Sequence, residues 1–234
     1  MIQPLRLRNC HEALLNQFLQ FEPMHLVVRS KGLSFVRETN FGVFAREQEP
    51  RGQFVRDPES GLSLSPVCLN AVYLFFPGPK RMPVFEFDFQ GHGFGIAIQP
   101  RDTPRSRELL KRIASSFGDK AISSSDLVER GAGSWLDEWG WLERQDMSST
   151  TEARISEVVT DGRLSVQVSN SAFRAGILLT PTFEDRDRTV RRIAAQGGCD
   201  AVVVEESVLA GARGECDDWN DDSLQADSAC RART

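Results

Sequence analysis

Part of this chain reads as though it were written twice, and an internal repeat constrains a fold more than any single motif does. Phe85–Phe89, Phe94–Ile98 and Leu109–Ala114 follow one another in one stretch, and Leu164–Val168, Phe173–Ile177 and Thr189–Ala194 follow in the same order in a later one. Each stretch scans as strand, turn, strand, helix, glycine, short strand. Phe94 then corresponds to Phe173, Ile98 to Ile177, Ile113 to Ile193 and Gly118 to Gly198. The expected fold is α+β: a mostly antiparallel sheet built from two β-β-α-β repeats, with helices on one face and an added N-terminal helix and hairpin. Residues 1–82 would complete the sheet, and 83–204 would form the duplicated core with a tryptophan-rich connector. Residues 205–234 would be an acidic, disordered tail.

The chain has the material for a core, with 40% hydrophobic and 26% charged residues over 234 positions. No apolar run reaches the roughly 20 residues that span a bilayer. The first residues, Met1-Ile-Gln-Pro-Leu-Arg-Leu-Arg8, lack the apolar stretch of a secretory leader. The expectation is a soluble protein of the bacterial cytoplasm with no membrane partner. The five cysteines are odd in number, widely spaced and without a CxxC pair, a pattern that suggests neither a disulfide framework nor a zinc ribbon. Arginine dominates the 28 basic residues, the lysines being Lys31, Lys80, Lys111 and Lys120. The simplest source of that bias is a GC-rich genome.

The net charge of −5 is unevenly distributed. From Glu205 onward, acidic residues outnumber arginines, and Glu215–Asp227 carries no basic residue and little to bury. The body is close to neutral. Domains that hold phosphate backbones are usually strongly basic, so nucleic acid is disfavoured as a partner.

Local signals place the elements. Asn9-Cys-His-Glu12 is a capping box before a helix over about 10–20. Met24–Val28 and Leu33–Val36 flank Ser30-Lys-Gly32 as a hairpin. Phe41–Ala45 reads as a further strand. Prolines and glycines make 47–66 mostly loop. Val67–Phe76 is an apolar strand that includes Cys68. In Val84–Phe89 the three phenylalanines face one way and Glu86 and Asp88 the other, as in a half-buried strand. Thr103 or Asp102 caps a helix to about Phe117, and Gly118 suits a left-handed cap. Ser149-Thr-Thr-Glu152 starts a helix over 150–159. Another helix, over 184–196, has acids first and arginines last, in keeping with its dipole. Ala201–Val204 is the last strand.

Few residues point to chemistry. Gly91-His-Gly-Phe-Gly95 lies between two strands, whereas a phosphate cradle lies between a strand and a helix, so a hairpin turn is the simpler reading. His92 at its tip, with Glu86 and Asp88, is the one carboxylate–imidazole grouping that could act as a catalytic site. The histidines are His11, His25 and His92, in no metal-binding spacing, so neither a metal nor another cofactor is expected. No nucleophile elbow, Walker loop or GxGxxG is present. Arg105–Arg112 is a basic helix interrupted by Glu108, and a solvated face explains it. The most unusual local composition is Gly133–Trp141. There Trp135, Trp139 and Trp141 flank Asp137 and Glu138, the composition of an interface hot spot as well as of a core.

These features favour a non-catalytic protein-binding module, of inhibitor, immunity or adaptor type, that uses Trp135, Asp137, Glu138, Trp139 and Trp141 toward another protein. The alternative is a small-molecule enzyme whose carboxylate and histidine site assembles only in three dimensions, from Glu86, Asp88 and His92. The tail carries charge but little to bury. Truncation after Ala210 is therefore expected to leave the thermal midpoint unchanged, and a drop of several degrees would refute this.

Overall fold

The computed structural model describes residues 4–8, 11–30, 33–49, 52–76, 82–90, 93–123, 152–158, 163–187, 190–195 and 200–205. The chain begins with strand β1 (Leu5–Leu7), the short helix α1 (His11–Leu15), a 3-10 turn at Phe18–Gln20 and the hairpin of β2 (Met24–Ser30) and β3 (Leu33–Thr39). Next come β4 (Ala45–Glu49), β5 (Gly52–Arg56), β6 (Ser63–Leu64), β7 (Leu69–Phe75), β8 (Val84–Phe89) and β9 (Gly93–Pro100). Helix α2 (Pro104–Phe117) leads into β10 (Gly118–Ala121). The remaining strands are β11 (Glu152–Val158), β12 (Arg163–Ser169), β13 (Phe173–Leu179), β14 (Pro181–Asp187), β15 (Val190–Ala195) and β16 (Ala201–Glu205).

The strands form two sheets. The larger runs β10-β1-β7-β8-β9-β2-β3-β16-β15-β14 and the smaller β11-β12-β13-β6-β5-β4. Every recorded strand pairing is antiparallel. The fold is thus sheet-rich and antiparallel with few helices. Alternation explains the core: Leu26, Val28, Phe35, Phe85, Phe87, Ile96 and Ile98 of the larger sheet share one buried cluster with Val55, Leu64, Val166, Val168, Phe173 and Ile177 of the smaller. Leu14 and Leu15 of α1 and Leu110 and Ile113 of α2 join that cluster. Helix α2 starts where the sequence places it, with Thr103 Oγ1 accepting from the Ser106 N–H at 3.1 Å and Pro104 in the first turn. Arg37 crosses between the sheets, its Nη1 donating to the Gly176 carbonyl at 2.8 Å.

The repeat does not hold as expected. After β8 and β9 comes helix α2, but after β12 and β13 the expected 184–196 helix is replaced by the hairpin β14–β15. The two matched hairpins also lie in different sheets. The acids-then-arginines order that suits a helix dipole also suits a hairpin, where Asp185 stands opposite Arg192. The helix expected over 150–159 is strand β11, paired along its length with β12. Cross-strand pairing outweighs a local capping signal in both places. The first helix is shorter than expected, and Phe41–Phe44 gives core phenylalanines while the strand begins at Ala45.

The stretch 47–66, expected as loop, carries β5, β6 and most of β4. Its glycines mark turns between short strands: Gly52 has φ 127° and Gly61 φ 68°. Buried Asp57 fastens the β5–β6 connection by accepting from the Gly42, Glu59 and Ser60 amides at 3.0, 3.2 and 3.1 Å. Gly118 has φ −59°, so it is not a left-handed cap. It is glycine because a Cβ there would lie 2.3 Å from the Ala114 carbonyl oxygen.

Gly95 is the bulge residue of β9, since Phe87 pairs with Ile96 and Asp88 with Phe94. The Phe173 ring of the smaller sheet fills the missing side-chain position, and a Cβ on Gly95 would lie 2.4 Å from it. Gly95→Ala should therefore destabilise the fold by about 1–3 kcal/mol in chemical denaturation. Pairing it with Phe173→Leu should recover part of that loss. An additive double mutant would mean that this contact does not join the sheets.

Candidate functional site

The larger sheet has a second face, turned away from the shared core. Period-two alternation puts His25, Val27 and Arg29 of β2 there, with Ser34, Val36 and Glu38 of β3, Glu86 and Asp88 of β8, and Ala97 and Gln99 of β9. Strand register aligns these positions into rows. Tyr73, Glu86, Ala97, Val27 and Val36 stand in one row, and Gln99, His25 and Glu38 in another. Val27, Val84 and Ala97 form a small buried cluster with Val36 against it, and Ala71, Tyr73 and Phe94 form another.

The middle of this face is charged and dry. Arg29 Nη2 lies 3.0 Å from Glu86 Oε2, and the two side chains are 4% and 0% exposed. The pair bridges β2 and β8 over the intervening β9, where the small Ala97 leaves room. Asp88 accepts from Asn70 Nδ2 at 2.8 Å and is also buried. Tyr73 and Phe94 pack with ring centroids 5.9 Å apart. Removing one partner of a buried ion pair typically costs about 3–5 kcal/mol, because the other charge loses its main compensation.

Glu86 and Asp88 were expected on a solvent-facing side, and the structure corrects this. All six residues of β8 are buried. The alternation in the sequence is real, but β8 is a central strand covered on both faces. His92 and Gly91 lie outside the described residues, although the hairpin expected around them is present as the β8–β9 pair. Trp135, Asp137, Glu138, Trp139 and Trp141 also lie outside the described residues. Cys68 is half-buried in the turn before β7, not inside the strand, with its Sγ 3.6 Å from the Ser171 carbonyl oxygen.

The face becomes half-buried at the His25 row, where His25, Glu38 and Gln99 are all partly accessible. Arg101 pairs with Glu38 there, and Gln99 Nε2 donates to the Met82 carbonyl at 3.3 Å. The His25 imidazole makes no hydrogen bond or ion pair among the described residues. Sequence reasoning passed over His25, Arg29, Glu38 and Arg101. The available signal was Met24-His-Leu-Val-Val-Arg29, in which two polar residues four apart interrupt an apolar strand. His11 lies elsewhere, at the start of α1. Its Nδ1 is buried without a partner, and burial pushes its pKa down.

No protein-family model matches this chain, and no curated protein sequence matches it. Solved structures do. The heme-binding protein PhuS from Pseudomonas aeruginosa, in its apo form, superposes with a TM-score of 0.59 at 12% identity over 88% of this chain and 71% of PhuS. Its holo form gives 0.56 at the same identity. ChuS, an E. coli heme oxygenase, gives 0.56 at 11% identity over 87% of this chain and 72% of ChuS. At such identity the likeness establishes a shared fold. It also corrects the expectation of an inhibitor, immunity or adaptor module directed at another protein: the matched proteins are a heme-binding protein and a heme-degrading enzyme, and heme is a small molecule. Among the described residues, no helix is long and apolar enough to cross a membrane.

His11 gives a pH prediction. Its folded pKa lies below the ordinary 6.5, so the unfolded chain takes up the proton first as pH falls. Stability should be fullest above pH 6.5 and decline as pH falls from there toward the folded pKa. His11→Gln should flatten that part of the profile, as read by urea denaturation across pH. An unchanged slope would place the titrating group elsewhere.

Proposed function

We propose that this chain binds heme at the half-buried end of the second sheet face, with the His25 imidazole as the iron ligand. The observation that carries the reading is the fold shared with PhuS and ChuS over almost the whole of the chain. The residues present suit such a group in chemical type. Neutral imidazole is the commonest side-chain ligand for metals, and His25 is partly accessible with its nitrogens unengaged among the described residues. Among those residues no cluster of three His, Cys, Asp or Glu could hold a bare ion. Heme would not need one, since its macrocycle brings four nitrogens of its own, and His25 would be the residue that holds it. Val36, next along β3 and partly accessible, offers apolar surface, and Arg101 at the rim, itself paired with Glu38, places a guanidinium near the proposed ligand. When bound, heme supplies the redox and oxygen-binding chemistry, while the chain's own residues hold and orient it.

In this reading Glu86 and Asp88 are not reacting groups. They and Arg29 fix the three central strands, and so the position of the rim. The alternative expected from sequence, a small-molecule enzyme with a site assembled from Glu86, Asp88 and His92, accords better with heme-binding and heme-degrading neighbours than a protein-binding module does, and the present proposal puts the site on other residues.

Titration of the purified chain with hemin should give a saturable Soret change at one equivalent. His25→Ala should shift that band and weaken binding at least about tenfold, while His11→Ala should leave both unchanged. Failure of the unsubstituted chain to take up hemin would remove the heme reading. An unaltered His25→Ala spectrum would remove His25 as the ligand.

A further inference from the structure

This inference rests on the heme reading and concerns what holds the proposed ligand still. Register places Glu38 of β3 directly opposite His25 of β2, with Gln99 of β9 opposite on the other side. Directly opposed residues have Cβ atoms about 4.5–5.5 Å apart, so a glutamate carboxylate can reach an imidazole N–H across the strands. Glu38 is anchored at two points. Arg101 Nη2 pairs with its Oε1, and its backbone N–H donates to Asp200 Oδ1 at 2.8 Å. A carboxylate has several acceptor positions, so Arg101 does not exhaust it. The Glu38 side chain is 24% exposed, less than the 48% of Arg101, so the acid lies on the inner side of that pair. Gln99 is tethered through Nε2 to the Met82 carbonyl. His25 therefore stands between two fixed side chains, one of them anionic.

We infer that Glu38 is a positioning residue for His25. No hydrogen bond joins the two side chains in the structure as it stands, and a change of rotamer at His25 brings one imidazole N–H to the Glu38 carboxylate across the strands, fixing the tautomer and ring orientation so that the lone pair of the other nitrogen points away from the sheet. Carboxylates behind ligating histidines have this effect generally, and they also make the imidazole a stronger donor. Arg101 and Asp200 act one step further back by holding Glu38.

The test has a heme-free arm and a loaded arm. In the first, the His25 tautomer is read by NMR of ring-labelled histidine in unsubstituted protein and in Glu38→Gln, with the rest of the spectrum reporting the fold. Loss of a charge-assisted acceptor should move the tautomer ratio about tenfold. In the second, the reduction potential of bound heme should rise in Glu38→Gln, because a less anionic partner leaves a weaker donor. A ratio identical in the two proteins would overturn the inference whatever hemin does. A changed ratio with no hemin uptake by either protein would leave Glu38 as the partner of His25 and remove the heme reading alone.

Discussion

Arg29 and Glu86 meet across a strand that belongs to neither of them. Two strand spacings, about 9–10 Å, separate β2 from β8, and the arginine stem covers that distance above Ala97 of β9. In a site this dry an unpaired guanidinium or carboxylate would carry a large desolvation penalty, which the ion pair offsets. The pair makes the register of the three central strands a single unit. A slip of one residue in β2 would put Arg29 into the shared core and Leu26 and Val28 onto the polar face.

The two faces of the larger sheet do different work. One is largely apolar, with Arg37 reaching the Gly176 carbonyl, and the smaller sheet and the two helices close over it to form the core. Gly95 shows how close that approach is, because the Phe173 ring occupies the place where any side chain would stand. The other face is apolar near β2, β3 and β9, ionic toward β8, and half-open at its His25 end. A rim with an unengaged imidazole beside an anchored carboxylate is a better ligand site than the buried middle, where the carboxylates are already committed. Exposed charges line β4 at one edge of the smaller sheet and β10 at one edge of the larger.

Much of the fold was legible in the sequence wherever a local rule and the tertiary structure agree. Met24–Ser30 and Leu33–Thr39 pair as the Ser30-Lys-Gly32 turn demands. Val84–Phe89 pairs with the strand after the glycine turn. Thr103-Pro104 opens helix α2 as its capping chemistry requires. Reading failed where a local signal had two solutions. Glu184, Asp185, Arg191 and Arg192 satisfy a helix dipole or a hairpin equally well, and Ser149-Thr-Thr-Glu152 can precede a strand as well as cap a helix. The apparent repeat rested on that ambiguity: the first hairpin of each unit is present, but the helices do not correspond.

The sequence by itself determined strand periodicity, the antiparallel α+β class, the polar character of Glu86 and Asp88 between the phenylalanines of β8, and the absence of a recognisable catalytic motif. Each of these depends on residues within a few positions of one another. Only the tertiary structure decided that Glu86 and Asp88 are buried, that Arg29 partners a residue more than fifty positions away, and that His25 stands beside Glu38 at an open rim. Alternation shows which residues share a face, but not what covers that face or which strand lies next to it. Those depend on strand order, which is set by burial of the whole core and not by any local preference.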